Sequence, residues 1–264
     1  MPLQQHNGVL YFAFDHFSSQ TLTQAVFGRH GGVSTGDWAA LNVGLTVGDD
    51  PEHVAQNRRI SFETVNRPIE SLSDSWLVHG TAVLVYDRPR PLDQESPQKA
   101  DIILTDNPQV SLFMRYADCV PILLYDPVQR AIGLAHAGWR GTVEKVGQAA
   151  VEAMQTRYGS NPADLLAGIG PSIGPERYEV GPEVTAQVRE VFGEQADGLL
   201  PRYNQSEHLD LWAANHLALV EAGVRPEAVE VAGICTASQN ENWFSHRGDA
   251  GKTGRFGALL ALEE

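Results

Sequence analysis

The chain has 264 residues, 42% of them hydrophobic, and a formal net charge of −14. This composition is typical of a globular protein and too apolar for a disordered chain. The acidic balance argues against a protein that binds nucleic acid or anionic lipid through a broad basic surface. The two cysteines, Cys119 and Cys235, cannot form a disulfide framework and favour a reducing compartment.

The first residues do not predict a secretory signal. No Lys or Arg precedes the apolar stretch within Met1–Phe14, whereas a secretory signal begins with positive charge. No run approaches the ~20 apolar residues that a membrane-spanning helix needs. We therefore expect a cytoplasmic protein that contacts neither membrane nor nucleic acid.

The first half of the chain predicts a helix followed by buried strands. Asp50 can cap a helix whose first turn contains Pro51. The stretch Arg88–Lys99 is rich in proline and charge and predicts a surface loop. Short apolar runs bounded by Asp, Pro or Gly predict strands. These runs are Trp76–Tyr86, Ile102–Leu104, Val120–Tyr125, Ala131–His136 and, later in the chain, Val229–Cys235.

Three further helices are predicted in the second half. Apolar residues recur at helical spacing over Thr142–Tyr158, and Gly159 ends the pattern. Pro182–Phe192 has a similar apolar face and ends at Gly193, while Asp210 can cap a helix that ends near Gly223. Strands and helices are mixed without strict alternation. We therefore expect an α/β (α+β) fold in one domain over residues 1–264, with a mixed sheet flanked by helices.

Three residues that can ligate a metal interrupt the apolar runs. His79 ends the run from Trp76, Cys119 precedes a predicted strand, and His136 closes the next one. Each alone has an ordinary structural explanation, because single His and Cys residues are common in cores. Together, two imidazoles and a thiolate suit zinc and leave a fourth position open for water or substrate. Such a site can activate water and polarise an electrophile.

A second interpretation of the same residues needs no metal. Cys119 as a thiolate would be the nucleophile, with His79 or His136 as its base. The three residues are far apart in sequence, so their spacing does not separate the two alternatives.

Glycines and arginines point to an anionic ligand. The Gly28–Ser34 turn allows close approach of backbone amides to a ligand. Arg140 lies where the predicted helix begins, a position that favours an anion such as phosphate. If gathered in one cleft, the arginines would focus positive potential on an anionic substrate. They are Arg29, Arg58, Arg140, Arg247 and Arg255.

Several longer motifs, in order, resemble the bacterial multi-copper polyphenol oxidoreductase (laccase-domain) family. Its members are now described as purine nucleoside phosphorylases, and some as peptidoglycan editing factors. The similarity runs from about residue 27 to the C-terminus. The motifs are RHGGVS, LNVG, VGDDPEHVAQNR, VHG, ADCVPILLYDP, AHAGWRGTV, IGPSIGPERYEVG and FSHRGDAGKTGR.

The resemblance implies a fold, a site and an activity. The fold is a single α/β domain of the cysteine-hydrolase-like kind, and the metal and catalytic residues are His79, Cys119 and His136. The activity is phosphorolysis of adenosine, inosine, guanosine or methylthioadenosine, with deamination of adenosine. Zinc is the expected metal, with copper as the alternative. We assign phosphate and substrate binding to Arg140, assisted by Arg58 or Arg255, in a protein expected to be a monomer.

Two other functions remain open at this point. A copper-dependent, laccase-like polyphenol oxidase is the first, although three-copper clusters use paired His-x-His motifs and none occurs among the 9 histidines. The second is a peptidoglycan editing factor that acts on cell-wall precursors. That protein would not turn over nucleosides even when loaded with zinc.

Overall fold

Two six-stranded mixed sheets pack against each other in this computed structural model, which describes residues 3–18, 21–91 and 97–264. Within those residues the strands are β1 (Leu3–His6), β2 (Val9–Phe12), β3 (Leu22–Phe27), β4 (Leu72–Ser73), β5 (Val83–Val85), β6 (Ile102–Thr105), β7 (Ser111–Tyr116), β8 (Val120–Asp126), β9 (Ala131–Ala137), β10 (Leu166–Ile169), β11 (Arg202–Tyr203), β12 (Ser206–Glu207), β13 (Val229–Val231) and β14 (Phe256–Leu262).

The helices cover the outer faces of the two sheets. The first sheet has the order β1-β2-β3-β14-β7-β4, and the second has the order β13-β10-β8-β9-β6-β5. A separate short hairpin joins β11 to β12. The helices are α1 (Pro51–Thr64), α2 (Trp139–Val143), α3 (Val146–Tyr158), α4 (Pro182–Phe192), α5 (Ala196–Leu199) and α6 (Leu211–Glu221).

The apolar runs of the sequence arise because the second sheet is buried on both faces. In β8, Ile122 and Leu124 pack towards the helices, in one cluster with Met154 of α3. Leu123, between them, packs with Met114 of the first sheet. A strand covered on both sides has no solvent face, so its sequence is continuously apolar rather than alternating. The predicted α/β fold is confirmed, with two mixed sheets in place of one.

Local signals placed several helix ends correctly. The carboxylate of Asp50 accepts a hydrogen bond from the Glu52 amide at 2.8 Å, and that of Asp210 accepts one from the Ala213 amide at 3.0 Å. Both bonds satisfy amides that have no partner inside the helix. The helix α3 ends at Gly159, whose φ of 73° is left-handed. The prediction for Pro182–Phe192 is confirmed as α4.

The predicted strand Trp76–Tyr86 is wrong over most of its length. Only Val83–Val85 is a strand, and Trp76 and Val78 are 40% and 42% exposed. The amide of Val78 donates to the carboxylate of Asp101 rather than to a neighbouring strand. The apolar residues of this run therefore lie in a loop fixed by a buried acid.

Two other boundaries differ for backbone reasons. The helix predicted over Thr142–Tyr158 is divided into α2 and α3, because Lys145 between them is left-handed, with φ of 54°. The strand predicted over Val229–Cys235 ends at Val231, and Gly233 follows with φ of 63°. Within the predicted loop Arg88–Lys99, residues 92–96 lie outside the described residues.

Neither cysteine forms a disulfide: Cys119 is half-buried and Cys235 is buried. In the described part of the chain, no helix has both the length and the hydropathy required to cross a membrane.

Candidate metal centre

The fold brings His79, Cys119 and His136 together. One potential ligand atom from each residue lies within 4.8 Å of those of the other two. Cys119 directly precedes β8 and His136 lies in β9, and these two strands form an antiparallel hairpin in which Val120 is opposite Ala137. His79 reaches the same place from the loop before β5. This grouping is the one expected from the sequence.

Asp101 holds both histidines in position. One carboxylate oxygen lies 2.9 Å from His136 Nδ1, and the other accepts hydrogen bonds from the amides of Val78 and Gly80, each at 3.0 Å. An ionised carboxylate only accepts, so His136 Nδ1 carries a proton, and Nε2 is the nitrogen that can ligate once it has lost its own proton. The two amides flank His79 and stabilise its left-handed backbone, with φ of 63°. In the sequence Asp101 is a single acidic residue before an apolar run, and no pattern there predicts this role.

The metal-free cluster is a thiolate and imidazolium pair. Burial favours the neutral thiol, but the charge and hydrogen bond of His136, together with His79, lower the pKa of Cys119 to about 6. Burial also opposes a charged His136, but the Cys119 thiolate and the bond to Asp101 raise its pKa to about 9. The pKa of Asp101 is lowered because the bonds from His136 and the Gly80 amide outweigh its burial. Cys119 is therefore ready to ligate at neutral pH.

A second buried acid fixes the backbone beside Cys119. Asp118 is left-handed, with φ of 83°, and is 8% exposed. One of its oxygens accepts from the hydroxyls of Thr236 at 2.7 Å and Ser245 at 2.6 Å. The other accepts from the Arg247 amide at 2.6 Å. Asp118 therefore links residues 244–249 (FSHRGD) to the loop that carries Cys119.

The cluster opens into a cleft that encloses about 160 Å³. One part of its lining is polar and contains His79 and Cys119 of the cluster, and the other part is aromatic and aliphatic. A planar ligand with a polar reacting end matches such a lining. The lining residues are His79, Asp118, Cys119, Gly138, Trp139, Arg140, Ile173, Tyr178 and Leu211.

The arginines occupy different surroundings. Arg140 lines the cleft, with its guanidinium carbon 5.3 Å from the centre of the Trp139 ring. Arg255 donates to the carbonyls of Thr253 and Gly254, and the charges of Cys119 and Asp118 partly offset the burial that lowers its pKa.

Arg58 belongs to a separate cluster of charges around Asp74, a buried acid that directly follows β4. Its Nη1 is 3.6 Å from Asp74, which also pairs with Arg90 and Arg115. Burial, and then the charge of Arg115, lowers the pKa of Arg58 to about 10. A role for Arg58 in substrate binding stays a prediction.

Arg29 and Arg247 are held by backbone groups. Arg29 donates to the carbonyls of Ala39 and Asn240. Arg247 donates to the Glu179 carbonyl at 3.0 Å, and its guanidinium carbon lies 5.2 Å from the centre of the Tyr178 ring. Arg140 and Arg247 therefore each stack on an aromatic residue that lines the cleft, Trp139 and Tyr178 respectively.

The residues present fit a borderline transition metal. A thiolate and two imidazoles are the donor set of zinc and copper sites, whereas magnesium and calcium prefer oxygen. The carboxylate behind His136 is the usual outer partner of a ligating imidazole. With three protein donors, a coordination position remains for a ligand in the cleft.

The fold and the site define an α/β protein with a His-Cys-His cluster that could hold a metal ion at an open cleft. The chain belongs to the family described as multi-copper polyphenol oxidoreductase laccase, whose model matches residues 23–263.

Relatives in this family carry a different name. The chain is 36% identical, over 89% of its length and 87% of the relative's, to purine nucleoside phosphorylase YlmD of Bacillus subtilis. It is 39% identical to a purine nucleoside phosphorylase of Deinococcus radiodurans, over 89% and 87% of the two chains. The crystal structure of YlmD from Geobacillus stearothermophilus superposes with a TM-score of 0.92 at 35% identity, covering 100% of this chain and 99% of that one.

Proposed function

We propose that this protein is a zinc-dependent purine nucleoside phosphorylase that also deaminates adenosine. The observation that carries the proposal is the His79, Cys119 and His136 cluster at the mouth of a partly aromatic cleft. The names of the relatives support the same reaction class. The substrates would be adenosine, inosine, guanosine or methylthioadenosine, together with phosphate, and residues 1–264 would act as one domain and as a monomer.

In phosphorolysis the C1′–N9 bond breaks and its electron pair moves to the purine. An oxygen of hydrogen phosphate bonds to C1′, and the phosphate proton ends on the purine. When bound by His79, Cys119 and His136, zinc would supply Lewis-acid polarisation and, for deamination, activation of water. The protein must bring the two substrates together and stabilise the charge that develops.

Side chains of the cleft, and two arginines outside its lining, divide this work. The planar guanidinium of Arg140 suits two oxygens of a phosphate, and Arg255 and Arg58 would assist with positive charge. Trp139, stacked on Arg140, offers an aromatic face to the nucleoside. Asp101 would keep His136 oriented, with its Nδ1 proton held and its Nε2 free.

The direct test is to incubate zinc-loaded, copper-free protein with adenosine in the presence and absence of phosphate. Adenine and ribose 1-phosphate formed only with phosphate would support phosphorolysis. Inosine formed without phosphate would support deamination. Turnover of no nucleoside would overturn the proposal and favour a binding role in peptidoglycan editing.

The two cysteines provide a matched test of the metal ligands. Cys119→Ala should abolish tight zinc binding and activity, because an open site with three protein ligands rarely tolerates the loss of one. Cys235→Ala should keep zinc, since Cys235 accepts a hydrogen bond from the Gly174 amide and does not line the cleft. Stoichiometric zinc in the Cys119 variant would contradict the assignment.

A copper-dependent polyphenol oxidase is the second candidate, favoured by the description of the family. Copper can outcompete zinc for these ligands. The same purified protein loaded with copper should then oxidise a phenolic substrate with consumption of oxygen. If the zinc form turns over nucleosides and the copper form does not oxidise the phenolic substrate, the oxidase interpretation fails.

A further inference from the structure

The cleft has an aromatic residue that the site described so far does not use. Tyr178 follows the turn at Pro175–Arg177 and lines the cleft together with Cys119. Its position is fixed at both ends of the residue: its amide donates to the Pro175 carbonyl, and its own carbonyl accepts from the Leu209 amide. The backbone of Tyr178 is thus fixed in the wall of the cleft.

Arg247 stacks on one face of this ring. Its guanidinium carbon lies 5.2 Å from the ring centre, and its side chain donates to the Glu179 carbonyl. Its backbone amide is bound by Asp118, next to Cys119. The metal cluster and Tyr178 are therefore held in a fixed relation through one buried carboxylate.

The hydroxyl of Tyr178 has no hydrogen-bond partner among the described residues, and its oxygen is not fully buried. The phenol oxygen is therefore accessible to solvent, on a residue that lines the cleft. Burial, then the negative charge of Cys119, raises the pKa of Tyr178. The group keeps its proton at neutral pH and is available as a donor.

The other lining residues are less suited to donate to a leaving purine. Both oxygens of Asp118 accept bonds already. His79 and Cys119 are assigned to the metal, and Arg140 to phosphate. Ile173 and Leu211 carry no donor, which leaves the Trp139 indole as the competing group.

We propose that the Tyr178 hydroxyl donates a hydrogen bond to a ring nitrogen of the purine and stabilises the negative charge that develops there as the C1′–N9 bond breaks. This inference rests on the proposed phosphorylase function. Tyr178 keeps its proton throughout, so the proton gained by the purine is still the one released by hydrogen phosphate. A donor aimed at developing charge lowers the barrier more than it strengthens ground-state binding.

The test compares Tyr178→Phe with the unmodified enzyme on guanosine and on 7-methylguanosine. The base of 7-methylguanosine is positively charged before cleavage and leaves as a neutral species, so it needs no donor. On guanosine, kcat should fall by about 10- to 100-fold, the range for one hydrogen bond to a charged group, with little change in KM. On 7-methylguanosine most of this loss should disappear.

Two controls separate this role from others. Tyr203→Phe removes a hydroxyl from the β11–β12 hairpin, outside the cleft lining, and should leave kcat and KM on both substrates unchanged. Trp139→Phe tests the competing donor. Zinc content and melting temperature of each variant show whether the site and fold are intact.

The outcomes are distinct. The role of Tyr178 would be overturned if Tyr178→Phe left kcat on guanosine unchanged or lowered it equally on both nucleosides. It would also be overturned if Trp139→Phe, instead of Tyr178→Phe, showed a loss on guanosine that disappears on 7-methylguanosine. Absence of phosphorolysis by the unmodified zinc-loaded enzyme would instead overturn the proposed function on which it rests.

Discussion

Gly138 packs directly against His79. A Cβ built on Gly138 would lie 2.9 Å from His79 Cδ2 and 3.1 Å from Cys119 Sγ. Contacts of the first length essentially never occur for real Cβ atoms, so any side chain here must displace a proposed ligand. The absence of a side chain at residue 138 is therefore a requirement of the cluster.

Gly138→Ala should weaken metal binding and remove activity, because the added methyl group pushes the His79 ring or the Cys119 sulfur out of place. The measurement is zinc affinity by competition with a chromophoric chelator. Gly198→Ala is the matched control: its Cβ meets nothing within 4 Å and it lies in the short helix α5. Wild-type affinity in the Gly138 variant would show that the close contact does not constrain the site.

Asp101→Asn should lower zinc affinity by roughly 10- to 100-fold, the usual effect of losing the outer partner of a ligating imidazole. An amide cannot accept from His136 on one side and from the Val78 and Gly80 amides on the other. Asp126→Asn is the control, since Asp126 is equally buried but accepts only from the turn amides of Val128 and Gln129. Equal affinities for the two variants would contradict this role of Asp101.

Zinc binding should release a proton from His136 near pH 8. The raised pKa of His136, about 9, means that the metal-free imidazole is charged below that pH, whereas the ligating form is neutral. Cys119, with a pKa of about 6, is already a thiolate. Affinity should therefore rise by about tenfold per pH unit towards pH 9 and then level off.

Calorimetric titrations in two buffers with different ionisation enthalpies at pH 8 measure this proton directly. The observed heat per zinc ion should differ between the buffers by the difference in their ionisation enthalpies multiplied by about one released proton. Equal heats in both buffers would show that His136 is already neutral in the metal-free protein.

Asp118→Asn should reduce kcat/KM while zinc remains bound. Asn tolerates the left-handed backbone but has one acceptor oxygen in place of two, so either the bond from the Arg247 amide is lost or the bonds with the Thr236 and Ser245 hydroxyls must reverse. In either case the segment that carries Arg247 is held less firmly over Tyr178. The effect should be visible on guanosine kinetics and not in zinc stoichiometry. Wild-type kinetics would mean that the segment around Arg247 does not contribute to turnover.

The parts of the fold predicted from sequence depend on local interactions. Asp50 and Asp210 cap helices through bonds to residues two or three positions away, and Gly159 ends a helix through its own backbone. The strand β14 gave no such signal: its Ala and Leu residues favour helix. Pairing with β3 and β7 decides its conformation, and that pairing is visible only in the folded chain.

The same distinction applies to the site. His79, Cys119 and His136 stand out because polar residues interrupt apolar runs. Asp101 does not, since its bonds run to residues more than twenty positions away. Tyr178 lay within a recognised motif, but its free hydroxyl and its position in the cleft depend on tertiary contacts with Arg247 and Leu209.

The position of β14 has a consequence for the order in which the protein assembles during synthesis. Until Phe256–Leu262 emerges from the ribosome, β3 and β7 lack the strand that lies between them, and their edges are open to wrong pairing. The β8–β9 hairpin, by contrast, needs only neighbouring residues. The half of the cluster made by Cys119 and His136 can therefore form early, whereas the contacts of Asp118 with Ser245 and Arg247 must wait until those later residues have been synthesised.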